Sequence, residues 1–136
     1  MLLLPFKARL GACHVDKILI VEDDALIALG MTDVLSFAGF EIVGPVSRVS
    51  EALRLAEAAR PSVAVVDISL AGRRDGIEGA NLLKEKGAKV VFVSALPGRE
   101  TLARATAVKP VAILSKPCHP RELLSAVQRA ADRHST

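Results

Sequence analysis

Ile18-Leu19-Ile20-Val21-Glu22-Asp23-Asp24 decides the fold: four apolar residues in a row, mostly β-branched, closed by three acids. Continuous apolarity, rather than alternation, marks a strand covered on both faces. The pattern recurs in Glu41-Ile42-Val43, Val63-Ala64-Val65-Val66, Val90-Val91-Phe92-Val93 and Val111-Ala112-Ile113-Leu114. Helical patterns separate these runs, at about residues 25–38, 48–59, 77–86, 98–106 and 120–133. The first has an apolar stripe of Ile27, Met31, Val34, Leu35 and Ala38, with Asp24 as N-cap and Gly39 as stop. The last opens at Pro120 and turns Leu123, Leu124, Val127 and Ala130 to one side. Pro61 and Gly87 punctuate two others. Five βα units in this length imply an α/β fold, a doubly wound parallel sheet with right-handed crossovers.

A chain of 136 residues fits one domain, and at 51% hydrophobic and 24% charged it can bury a core. Its net charge of +3 comes from scattered cations, with no run longer than Arg73-Arg74. There is no basic stripe, no Trp or Tyr, and only four Phe, so direct nucleic-acid binding is not expected. Cys13 and Cys118 lack metal-ligand spacing and read as free thiols in a reducing compartment. The apolar start Met1–Phe6 is too short to span a bilayer or to form a signal-peptide core. The expectation is a cytoplasmic protein without membrane contact: residues 1–16 an N-terminal extension, open to disorder, and 17–136 the domain. No output domain follows the last helical pattern, so a stand-alone module is expected.

In an open parallel α/β sheet, ligands bind beyond the carboxyl ends of the strands. The residues that close the runs are Glu22-Asp23-Asp24, then Asp67, then Ser94, then Ser115-Lys116-Pro117. Singly, these are ordinary caps and turn residues. Together they bring acids, a hydroxyl and an amine to one edge. Clustered carboxylates repel unless a cation joins them, and oxygen-only ligands suit Mg²⁺. With the metal and Lys116 balancing the charge, one carboxylate can stay an ionised nucleophile toward phosphorus.

These residues resemble the receiver domain of two-component response regulators, in its single-domain, CheY-like form, over about residues 17–133. The match rests on Ile18–Asp24, on Val63-Ala-Val-Val-Asp67-Ile-Ser-Leu70, on Asp75-Gly76, on Val-Phe-Val-Ser94-Ala95 and on Leu-Ser-Lys116-Pro117. The resemblance implies a flavodoxin-like sheet of five strands in the order 2-1-3-4-5. It implies that Asp67 accepts a phosphoryl group from the phosphohistidine of a sensor histidine kinase or a histidine phosphotransfer protein. Asp23 would be the main Mg²⁺ carboxylate, Glu22 would act mostly through a metal-bound water, and the Ser69 carbonyl would be a further ligand. Ser94 would be the switch hydroxyl, and Lys116 would pair first with the carboxylate and then with the phosphoryl group. The bond before Pro117 would be cis, aiming Lys116 into the site.

The resemblance further implies a donor surface at Leu26, Ile27 and Pro117-Cys118-His119. His119 itself reads as a solvated loop residue rather than a relay. Output would pass through the fourth-helix face to an unknown downstream protein, from a monomer or weak homodimer. No turnover of an independent substrate is implied, only the domain's own phosphorylation and dephosphorylation. Two departures stand out. Ile113 replaces the aromatic that the family often carries three residues before the lysine, so coupling of the usual kind is in doubt. Pro97 and Gly98 occupy the start of the fourth helix, which is expected to be mobile or shortened.

Three competing readings remain. A phosphorylation-independent interaction module would keep the fold and lose the chemistry, whereas Asp23, Asp67, Ser94 and Lys116 are all present. A phosphatase-like enzyme with an aspartyl intermediate resembles a pattern with a second Asp where Ser69 stands. A flavin-binding protein needs a phosphate-binding loop where this chain has Glu22-Asp23-Asp24.

Overall fold

A computed structural model of the chain describes residues 15–70 and 76–132. Most of the extension, with Cys13, and also Arg73, Arg74 and Asp75, lie outside the described residues. Five strands alternate with five helices: β1 (Lys17–Val21), α1 (Ala25–Phe37), β2 (Glu41–Val46), α2 (Val49–Ala59), β3 (Val63–Asp67), α3 (Gly76–Glu85), β4 (Lys89–Ser94), α4 (Arg99–Ala107), β5 (Ala112–Ser115) and α5 (Pro120–Ala131). All strand pairs are parallel, in the order β2-β1-β3-β4-β5. This is the doubly wound sheet expected from the apolar runs. No helix among the described residues is long and apolar enough to cross a membrane.

The runs are continuous because alternate residues of each strand serve different cores. Ile18 and Ile20 of β1, Val63 and Val65 of β3, and Val91 and Val93 of β4 pack with Met31 and Leu35 of α1 and Leu123 and Val127 of α5. Leu19 and Val21, Ala64 and Val66, and Val90 and Phe92 pack with α2, α3 and the end of α4. Helices cover both faces, so no strand needs a polar side.

Asp24 caps α1 as expected, its Oδ1 accepting from the N–H groups of Leu26 and Ile27 at 3.0 Å each. The apolar stripe is partly realised: Met31 and Leu35 are buried, Ile27 and Val34 half-buried, and Ala38 exposed past the helix end. At α5 the cap is His119, whose Nδ1 accepts from Arg121 N–H at 3.0 Å while Glu122 Oε1 accepts from His119 N–H at 3.3 Å. The histidine expected merely to be solvated thus terminates a helix.

β2 runs three residues further than its apolar triplet suggests, through Gly44-Pro45, which is cis. Pro lacks a ladder donor and fits at an edge strand, and β2 is an edge. Gly44 has φ +88, and a Cβ there would lie 2.9 Å from Val46 N and 3.2 Å from Ile20 O. The irregularity shifts the β1–β2 register between Leu19 and Val21, where Val21 comes to face Val46.

Leu35 and Phe37 sit two residues apart on α1 with opposite surroundings, 0% and 95% exposed. Leu35→Ala should therefore lower unfolding stability by about 2–5 kcal/mol, whereas Phe37→Ala should stay within about 0.5 kcal/mol. Urea denaturation of the two variants checks this; comparable losses would contradict the placement of α1.

Candidate functional site

Four of the five strands, β1, β3, β4 and β5, end on or lead directly into a residue that carries chemistry, and the strand order sets those ends side by side. Glu22 and Asp23 follow β1 directly, Asp67 closes β3, Ser94 closes β4, and Lys116 follows β5. Backbone bonds fasten these ends to their neighbours: Glu22 N–H to Val46 O at 2.9 Å, Ile68 N–H to Val93 O at 3.0 Å, and Lys116 N–H to Ser94 O at 2.8 Å. Side chains leaving such fastened positions start from a rigid frame.

Lys116 holds the centre. Its Nζ lies 3.0 Å from Asp67 Oδ2 and 2.8 Å from Glu22 Oε1, with only 17% of its side chain exposed. The bond from Lys116 to Pro117 is cis. Asp67 is 4% exposed, and its other oxygen, Oδ1, accepts from Ser69 N–H at 2.9 Å. Each Asp67 oxygen thus has one partner and a further lone pair available. Glu22 is equally buried, and its Oε2 accepts from Asp24 N–H at 3.1 Å. Its Oε1 is within ion-pair distance of Lys116 but off the direction a hydrogen bond needs, so among the described residues this buried oxygen has no directed donor.

Glu22, Asp23 and Asp67 each bring one carboxylate oxygen into a cluster whose atoms all lie within 4.8 Å of one another. Asp23 is exposed and the other two are buried. An all-oxygen set with one under-bonded buried oxygen is what a hard divalent cation takes. Ser69, exposed one residue beyond Ile68, stands beside the cluster through its N–H bond to Asp67.

The electrostatics follow. Burial pushes the Glu22 carboxyl above its ordinary 4.5; the nearby Lys116 ammonium and the Asp24 N–H pull it back, and the Asp67 charge pushes it up again. Burial alone would lower Lys116, but the Glu22 and Asp67 carboxylates outweigh it and hold the ammonium above its ordinary 10.5.

Ser94 is 1% exposed, one residue past Val93, the register partner of Asp67. Ile113 pairs with Phe92 and packs, half-buried, on the core side that includes α4. On the other side, Ile27, Gly30, Met31, Val34, Pro117 and Cys118 help line an apolar groove of about 300 Å³ that reaches Lys116. Leu26 is 78% exposed beside it.

One positioning residue was quoted in the sequence without a role. A Cβ on Gly76 would lie 2.1 Å from Asp67 O and 3.0 Å from Ile68 Cα. The start of α3 presses directly on the peptide that carries Asp67, and only glycine fits. The signal in the sequence was a glycine nine residues after the carboxylate, and its meaning depends on a contact no periodicity reveals.

The response regulator receiver domain family matches residues 18–128. The chain is 35% identical over 118 residues to the transcriptional regulatory protein PdtaR of Mycobacterium tuberculosis, covering 86% of this chain and 57% of that protein. It is 30% identical over 124 residues to the phyllosphere-induced regulator PhyR of Methylorubrum extorquens, covering 90% and 46%. The chain thus spans about half the length of these relatives. Among solved structures, the signal receiver domain of a modulated diguanylate cyclase from Desulfovibrio desulfuricans superposes with a TM-score of 0.81 at 33% identity, covering 86% of this chain and 94% of that one. A CheY-like receiver domain protein from Methanospirillum hungatei gives 0.78 at 26% identity, covering 85% and 93%.

A carboxyl raised above 4.5 in the fold binds its proton more tightly there than in the unfolded chain. Its stabilising contribution is full below that value and is lost as pH rises through the higher folded value. In chelator-treated protein, wild type should lose stability relative to Glu22→Gln as pH rises from the ordinary value of 4.5 through the higher folded value. Urea unfolding across that range is the check, and a gap that stays constant with pH would contradict the raised value.

Proposed function

The chain belongs to the response regulator receiver domain family, and from that premise we propose that Asp67 is its phosphoacceptor, serving a switch in two-component signalling. The observation that carries the reading is the Asp67 carboxylate held at 3.0 Å by Lys116 inside a three-carboxylate cluster.

In the proposed reaction an Asp67 carboxylate oxygen attacks the phosphorus of a phosphohistidine. The P–O bond to aspartate forms as the P–N bond breaks, and the electron pair leaves on the imidazole, which takes a proton. The donor is a sensor histidine kinase or a histidine phosphotransfer protein, and its helices meet Leu26, Ile27 and the Pro117-Cys118-His119 turn. The apolar groove and the exposed Leu26 support that surface.

Asp23, Asp67, the Ser69 carbonyl and, through water, Glu22 would hold Mg²⁺, which supplies charge neutralisation for the transferring phosphoryl group. Lys116 neutralises from the other side: its ammonium starts on Asp67 and Glu22 and passes to the phosphoryl oxygens. Ser94 donates its hydroxyl to one of those oxygens and is drawn inward, carrying the end of β4 with it. The α4 face would then repack to dock a downstream protein. The domain turns over no separate substrate, and it would work in the cytoplasm, where the phosphodonor is made.

Incubation with Mg²⁺ and a small phosphodonor should produce one acid-stable, base-labile phosphoryl adduct, read by intact mass. Asp67→Asn should abolish it. Absence of the adduct, or labelling of Asp67→Asn, would overturn the phosphoacceptor reading. Mg²⁺ at about a hundredfold excess over its Kd should add about 2.7 kcal/mol of stability to wild type by mass action and much less to Asp23→Asn. Lys116→Ala should still bind Mg²⁺ but show a weakened conformational response to phosphorylation, followed by amide chemical shifts along α4. An undiminished response would remove Lys116 from the switch.

A further inference from the structure

Helix α4 buries fewer of its residues than any other described helix. Of its nine residues only Ala105 is buried, against five residues in α3 and five in α5. Its N-cap, Gly98, offers no side chain. Just before it, Leu96 has φ +52 and is 89% exposed. Within the helix, Thr106 Oγ1 donates to Leu102 O at 2.8 Å, a bond that competes for a backbone acceptor.

The C-terminal end is different. Val108, the C-cap, is 4% exposed and packs in the core together with Ala105. Lys84 also reaches it from α3, donating from Nζ to Val108 O at 2.6 Å across 24 positions of sequence. Lys84 is well based for this, because its neighbour Leu83 is buried and fixes that turn of α3. A cation on the last carbonyls of a helix satisfies an orphan acceptor and meets the negative end of the dipole.

We infer that Lys84 is a positioning residue of the switch: it pins the C-terminal end of α4, so that movement of Ser94–Gly98 swings the helix about Val108. The inference rests on the switch reading above and adds a pivot to it. A helix free at both ends would slide or unwind when the end of β4 moves. A helix pinned at one end turns a small displacement at Ser94 into a larger one along its first turns.

The test is hydrogen exchange on the full chain with Lys84→Met, which keeps the stem and loses the donor, and Lys84→Arg, which restores one. Before any phosphoryl group is added, Lys84→Met should speed exchange of the Val108 and Lys109 amides, which close the last turn of α4, by about tenfold. Lys84→Arg should remain close to wild type. Unchanged exchange in Lys84→Met would overturn the pin, independently of whether Asp67 accepts a phosphoryl group.

With Mg²⁺ and the phosphoryl mimic beryllofluoride, wild type should change protection over Leu96–Leu102 while Val108 and Lys109 stay protected. In Lys84→Met the change should spread to both ends. Equal loss at both ends of α4 in wild type would overturn the swing. No response anywhere in wild type would overturn the swing together with the switch.

Discussion

Two carboxylates, Glu22 and Asp67, face one ammonium, Lys116, at the edge of a sheet whose central strands are apolar in their interiors. The remaining structure can be understood from that arrangement. Burial of like charges is unfavourable unless opposite charge is brought to them, and here each charge comes from a different strand end. The strands must therefore stop at matched heights, and the backbone bonds from Glu22 to Val46, Ile68 to Val93 and Lys116 to Ser94 keep them there. Gly76 shows how little slack remains: the helix that follows β3 touches the Asp67 carbonyl itself. Among the described residues, Glu22 retains a buried oxygen without a directed donor, and its carboxyl is pushed above its ordinary value. Clustered carboxylates with an under-bonded oxygen favour the arrival of a cation.

Much of this was legible in the sequence, for a physical reason. Strands covered on both faces leave continuous apolar runs, so the sheet announces itself and its strand ends can be counted. Because parallel strands present all their carboxyl ends on one edge, Glu22, Asp23, Asp67, Ser94 and Lys116 could be assigned to a common place before any distance was known. What escaped were features set by contacts rather than by periodicity. The cis Gly44-Pro45 step that prolongs β2 interrupts the apolar pattern. The His119 cap depends on an imidazole nitrogen accepting from Arg121 N–H. Gly76 is necessary only because of what packs against it, and the Lys84–Val108 bond joins residues that no spacing rule relates.

The two faces of the sheet are built to different standards, and the difference has a direction. On one face, α1 and α5 pack on a cluster that includes Leu35, Leu123 and Val127, and both helices begin with a side-chain cap. That face carries the groove beside Lys116. On the other, α2 and α3 are well buried while α4 contributes only Ala105 and its cap residue to the core. Segments that rearrange are drawn from the less stable parts of a fold. Among the described strands, β4, the one that closes on Ser94, leads into the helix that buries least.

Ile113 lies on the same side as that helix. It is in register with Phe92 and half-buried against the cluster that contains Ala105 and Val108. A β-branched aliphatic side chain has few rotamers and no polar tip, so it has neither a second well-populated orientation nor a hydrogen bond to exchange. An aromatic ring at that position could carry a signal by rotating between core and surface. With Ile113 there, the wall of β5 stays in place. On the phosphoacceptor reading, displacement arising at Ser94 then has α4 as its outlet, which makes the holding of that helix at Val108 more consequential than in a domain with a second path.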